Sequence, residues 1–115
     1  MQDLRSFLAS AEKAGELLRV DRETDPLTEM GVLFGETEQP LIFENVRGYP
    51  GWQICGELVT SRAAQAVALQ IDRSQVVPEL ARRMQSPALP GRNVNTGPVK
   101  ERILTGRDVD LRKLP

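Results

Sequence analysis

The sequence predicts an α/β domain built from a small mixed sheet with flanking helices, and three observations lead there. Segments with apolar residues at helical spacing alternate with short runs of β-favouring residues. Two of those runs flank a turn rich in Gly and Pro, the pattern of a strand pair around a tight connection. The length of 115 residues, with 40% hydrophobic and 27% charged residues, suits one folded domain with one core and not a disordered chain.

In chain order, Leu4, Phe7, Leu8 and Ala11 lie at i, i+3, i+4 and i+7, which predicts an amphipathic helix from Asp3 to Ala14 with Asp3 as N-cap. Gly15 follows at the place where a left-handed C-cap favours glycine, and Leu17 to Val20 read as a short strand. Asp25-Pro26 marks a second helix start, with Leu27, Met30, Leu33 and Phe34 expected to face inward and Gly35 to end it. Leu41 to Glu44 and Trp52 to Cys55 are predicted strands around a turn punctuated by Gly48, Pro50 and Gly51. Ser61 precedes a helical run through Ala64, Val67, Ala68 and Ile71, and Leu80 to Met84 suggests a further helix after Pro78. These elements make residues 1–85 the α/β domain. Residues 86–98 concentrate Pro, Gly, Asn and Ser and read as an extended linker, and 99–115 reads as a strand from Val99 to Thr105 followed by a C-terminal docking segment.

Composition narrows the chemistry. Fifteen Lys plus Arg against sixteen Asp plus Glu leave a net charge of -1, with no basic excess to track phosphates, which argues against nucleic acid as a partner. Phe7, Phe34, Phe43, Tyr49 and Trp52 are too few and too scattered for a base-stacking platform. The chain holds no histidine, so it lacks the commonest general base near neutral pH and the commonest metal ligand. Its lone Cys55 can form no intrachain disulfide. No apolar run reaches the roughly 18 residues of a membrane span, and Met1 is followed by Gln2 and Asp3 instead of a basic and then apolar leader, so the expected location is cytoplasmic. A structural, interaction or subunit role fits this composition best.

Individual candidates for chemistry mostly have plain structural readings. Glu36 and Glu38 resemble a carboxylate pair but fall between a helix end and a strand, where a solvated loop is expected. Cys55, between Ile54 and Gly56 on a predicted strand, reads as a small buried hydrophobe. Arg82 and Arg83 read as an exposed charged helix face. Gly48 to Gly51 lacks the spacing and the lysine of a phosphate-binding loop. The C-terminal GRDVDLRKLP is different, because Val109, Leu111 and Leu114 alternate with charged residues in a segment suited to docking against another body.

Three stretches, DLRSFLASAEKAGELLRVDRETDP from Asp3, PLIFENVRGYPGW from Pro40 and GPVKERILTGRDVDLRKLP from Gly97, resemble in order and spacing the N-terminal domain of the UbiD-type decarboxylases. That resemblance covers essentially the whole chain and implies a domain packed beside a flavin-binding body, with Leu114-Pro115 about where that body would begin. It further implies a reversible decarboxylase acting on aromatic or α,β-unsaturated carboxylic acids through a prenylated FMN delivered by a flavin prenyltransferase. A divalent metal (Mn or Mg) and potassium are implied as well. The family's acid/base constellation and its flavin and metal ligands are expected on the larger catalytic chain, so no catalytic, cofactor or metal residue is assigned here. Val109, Leu111 and Leu114 are then the expected partner interface, and the isolated chain is expected to be inactive. The alternative is a stand-alone, non-enzymatic interaction or regulatory module with the same fold.

Overall fold

In a computed structural model of the chain, the first helix starts where the sequence provides a cap: the Asp3 carboxylate accepts the Ser6 N–H at 2.8 Å, opening α1 (Leu4–Lys13). The structure describes residues 3–88 and 90–115; Met1 and Gln2, which carried the reading of the leader, and Leu89 of the expected linker lie outside the described residues. Phe7 and Ala11 are buried as the periodicity requires, while Leu4 stays half-exposed. Gly15 takes φ +73° and turns the chain into β1 (Leu18–Val20).

Asp25 caps a turn of its own. Its Oδ1 accepts from Leu27 N at 2.8 Å and Thr28 N at 3.3 Å, and Glu29 reaches back to accept the Asp25 N–H at 2.7 Å. Helix α2 proper runs only over Met30–Gly35, after this capped turn. Leu27, expected to face inward, belongs to the turn and is 92% exposed. Met30 is buried, and Leu33 and Phe34 pack against the core.

Two further strands follow, β2 (Leu41–Phe43) and β3 (Ile54–Gly56), and the sheet order is β1-β2-β3. β1 and β2 are parallel, with Leu18 opposite Leu41 and Val20 opposite Phe43. β2 and β3 are antiparallel, with Leu41 opposite Gly56 and Phe43 opposite Ile54, so the sheet is mixed as expected. The central strand is apolar and buried at all three positions because both of its faces are covered. Leu41 and Phe43 join Met30 and Val46 in the main core cluster, and Ile42 turns to the opposite face, toward Leu4 and Leu8 of α1. The Phe34 and Phe43 rings meet edge to face at 5.2 Å. Gly56 permits this packing, since a Cβ there would stand 2.3 Å from Phe34 Cε1. Beyond β1 the parallel pairing resumes in a single bridge between buried Thr24 and Val46, with Thr24 N donating to Asn45 O and Arg47 N donating to Thr24 O, both at 3.0 Å.

Ser61 caps α3 (Arg62–Leu69) through the Ala64 N–H at 3.0 Å, and the helix closes on Gln70 at φ +57°. A short 3-10 turn, Arg73–Gln75, leads into α4 (Val76–Met84). That helix begins before Pro78, not after it, because proline is tolerated in a first turn whose N–H groups have no helical partner. Val76 is completely buried.

Among the described residues no helix or strand lies between Met84 and Pro98, and the strand expected from Val99 to Thr105 does not form. In its place Pro98–Lys100 makes a 3-10 turn, closed by Lys100 N donating to Gly97 O at 2.9 Å. Alternation alone builds a strand only beside a partner strand, and without one the local i to i+3 bonds prevail. Two more 3-10 turns follow at Gly106–Asp108 and Leu111–Lys113. No helix among the described residues is long and apolar enough to cross a membrane.

Candidate functional site

The β2–β3 connection makes a fixed platform. Gly48 and Gly51 both adopt φ +81°, where a side chain would be strained, and between them Tyr49 N donates to Val46 O at 3.0 Å while Trp52 N donates to Tyr49 O at 3.1 Å. The Tyr49 ring packs against the core cluster on one side and meets the half-exposed Trp52 edge to face at 6.5 Å. Its hydroxyl reaches past the turn to the C-terminal segment, 3.0 Å from Leu114 O and 3.2 Å from Arg112 O.

The segment it meets is locally organised. Asp110 caps the last 3-10 turn by accepting from Arg112 N at 3.1 Å, and the Arg112 guanidinium returns to both Asp110 oxygens at 2.9 and 3.2 Å. This lowers the carboxyl of Asp110 from its ordinary range, through the side-chain bond from Arg112 first and the backbone bond second. The interface residues expected from sequence are accessible: Val109 is 53%, Leu111 74% and Leu114 53% exposed. Ile103 and Leu104 are exposed beside them in sequence. Tyr49 was missed by sequence reasoning; the signal available was a sole tyrosine set between two turn glycines.

Other candidates from the sequence do not gather into a catalytic group. Glu36 and Glu38 are exposed loop residues. Arg82 and Arg83 are both engaged by Glu79, at 2.7 Å each, and these two guanidinium hydrogen bonds hold the Glu79 carboxyl at about 2. Cys55 is half-buried on β3 and not fully inside, because it lines a cleft of about 410 Å3 between the sheet and the start of α1. The polar rim of that cleft consists of Asp3, Arg5 and Gln53, and the Asp3 carboxylate is already committed to the Ser6 backbone and hydroxyl. Among the described residues no three His, Cys, Asp or Glu side chains stand close enough to hold a metal. With no histidine in the chain and a cleft whose carboxylate serves as a helix cap, the residues present do not fit a metal-held flavin phosphate.

Comparison with known proteins places this geometry. Residues 8–84 match the family model described as the 3-octaprenyl-4-hydroxybenzoate carboxy-lyase N-terminal domain. A phenolic acid decarboxylase of Streptomyces sp. (strain D7) is 35% identical over 95% of the chain, which spans 25% of that protein. Vanillic acid decarboxylase of Sedimentibacter hydroxybenzoicus, solved in an open form, superposes with a TM-score of 0.69 at 25% identity, covering 82% of this chain and 22% of that one. An evolved dimeric form of the UbiD-class enzyme HmfF from Pelotomaculum thermopropionicum, solved with prFMN, gives a TM-score of 0.64 at 30% identity, covering 77% of this chain and 21% of that one. The chain therefore spans about a quarter of the length of the relatives it matches.

Proposed function

The chain belongs to the family of 3-octaprenyl-4-hydroxybenzoate carboxy-lyase N-terminal domains, and from that premise we propose that it is the N-terminal part, or a small subunit, of a UbiD-like reversible decarboxylase. The substrate is an aromatic or α,β-unsaturated carboxylic acid, a reading supported by relatives named for phenolic and vanillic acids. Prenylated FMN, a divalent metal (Mn or Mg) and potassium belong to the larger catalytic body, with the flavin supplied by a flavin prenyltransferase; the prFMN held by the HmfF form supports this assignment. The cofactor supplies the chemistry there, and this domain contributes no group to it. Its own residues complete the fold and present Val109, Leu111 and Leu114 to that body. One observation carries the proposal: the match runs over 95% of this chain but 25% of its relative.

The test is intact mass and activity of the protein purified from its native source. The expected result is this sequence accompanied by roughly 35 to 45 kDa of further polypeptide, in one chain or two, at typical domain sizes, and decarboxylase activity in that material. Stoichiometric flavin absorbance on the 115-residue chain by itself would overturn the division of labour. Recovery of the chain alone, without a catalytic body, would favour the stand-alone regulatory module.

A further inference from the structure

Tyr49 ties together two parts of the chain far apart in sequence. Among the described residues, the hydrogen bonds joining 98–115 to the body are those from its hydroxyl to Arg112 O and Leu114 O. All other hydrogen bonds of that segment are local, from Lys100 to Asn95 or between near neighbours in the turns. The donor is unusually well fixed for a surface hydroxyl. Its ring is packed against the Met30, Leu41, Phe43 and Val46 cluster, its backbone is closed into the turn at both ends, and the flanking glycines hold the turn geometry. A phenol has one proton, shared here between two carbonyls, Arg112 O within the last 3-10 turn and Leu114 O at its C-terminal end. Holding both carbonyls sets the direction of the segment as well as its distance from the body.

We propose that Tyr49 is the positioning residue that orients the C-terminal segment, so that Leu111 and Leu114 are presented to the flavin-binding body as a pre-formed apolar face. This rests on the docking role given above to Val109, Leu111 and Leu114. The occupant is the remaining three-quarters of a UbiD-like enzyme, the part of the relatives that this chain does not cover. Pre-organisation is the physical gain. A segment held only by local turns would have to be ordered at the moment of docking, whereas one held by a rigid donor is ordered beforehand.

Limited trypsin digestion of the complete decarboxylase reads the state of this segment directly, because Arg112 and Lys113 are cleavage sites beside the two bonded carbonyls. Tyr49→Phe keeps the ring packed against the core cluster and removes one oxygen, with circular dichroism confirming the fold. Leu111→Asp tests the docking role separately. Cleavage at Arg112 and Lys113 is expected to rise roughly fivefold in Tyr49→Phe, the change that follows from losing one hydrogen bond of ordinary strength, and to rise also in Leu111→Asp. Wild-type cleavage in Tyr49→Phe overturns the positioning role. Faster cleavage in Tyr49→Phe with wild-type cleavage and full activity in Leu111→Asp overturns the docking role, and with it the proposal as stated.

Discussion

Residues 3–84 and residues 98–115 place their apolar side chains in opposite ways. In the first region Phe43, Val76 and Ala64 are completely buried, on a strand whose backbone is paired on both sides and on helices whose backbones bond internally. In the second region Val99, Ile103, Val109, Leu111 and Leu114 are more than half exposed on a backbone closed by local turns. The two regions show that apolar content does not by itself build a core; the polypeptide must bring a second surface to it. Where the chain supplies that surface the side chains go inside, and where it does not they stay exposed.

The contrast breaks most sharply at Phe43. Phe43→Ala, at the centre of the sheet with no exposure, should cost ~3–5 kcal/mol, read as a fall in the denaturation midpoint. A midpoint within error of wild type would mean the sheet is not the core. Leu111→Asp should leave that midpoint nearly unchanged, within about 0.5 kcal/mol. It should weaken association with the catalytic body by more than the ~1–3 kcal/mol expected for removing an interface leucine, because it also desolvates a carboxylate. Co-purification with the wild-type yield of large chain would remove the segment from the interface. Gly56→Ala should lower stability by ~1–3 kcal/mol through overpacking against the Phe34 ring; an unchanged thermal midpoint would show that the ring yields freely.

The smallest expected effect is one of pH. The Glu79 carboxyl sits at about 2, below its ordinary 4.5, held down by Arg82 first and Arg83 second. A depressed carboxylate stabilises the folded state fully above its ordinary value, and the contribution fades as pH falls from 4.5 toward 2. Helicity followed by circular dichroism over that window should therefore drop less steeply in Glu79→Gln than in wild type, because the variant has no such contribution to lose. Identical acid profiles would show that the pair is screened by solvent, as exposed pairs commonly are.

What could be read from the sequence follows the same division. Asp3, Gly15 and Ser61 announce helix ends by chemistry that acts within four residues, and each acts there in the structure. Asp25 is equally local but caps the turn before α2, which itself starts at Met30. The strand pair around Gly48 and Gly51 is equally local. Leu27 was misplaced because periodicity cannot tell a capped turn from the helix that follows it. The alternation from Val99 to Thr105 misled for a different reason, since a strand is defined by its neighbour and no described strand pairs there. The bonds from Tyr49 to Arg112 and Leu114 join segments that share no local pattern, and only the folded chain brings them together.

The mixed sheet also imposes an order of events on folding. β2 and β3 are joined by residues 44–53 and pair antiparallel, so their hairpin can close in roughly 1–10 μs. β1 pairs parallel to β2 and must first be returned by the crossover through α2, a longer closure whose entropy is lost before its contacts form. The hairpin is thus the natural nucleus and β1 the late arrival. Substitutions at Ile54 should mainly slow refolding, and substitutions at Val20 should mainly speed unfolding; the reverse pattern in stopped-flow kinetics would place the crossover first.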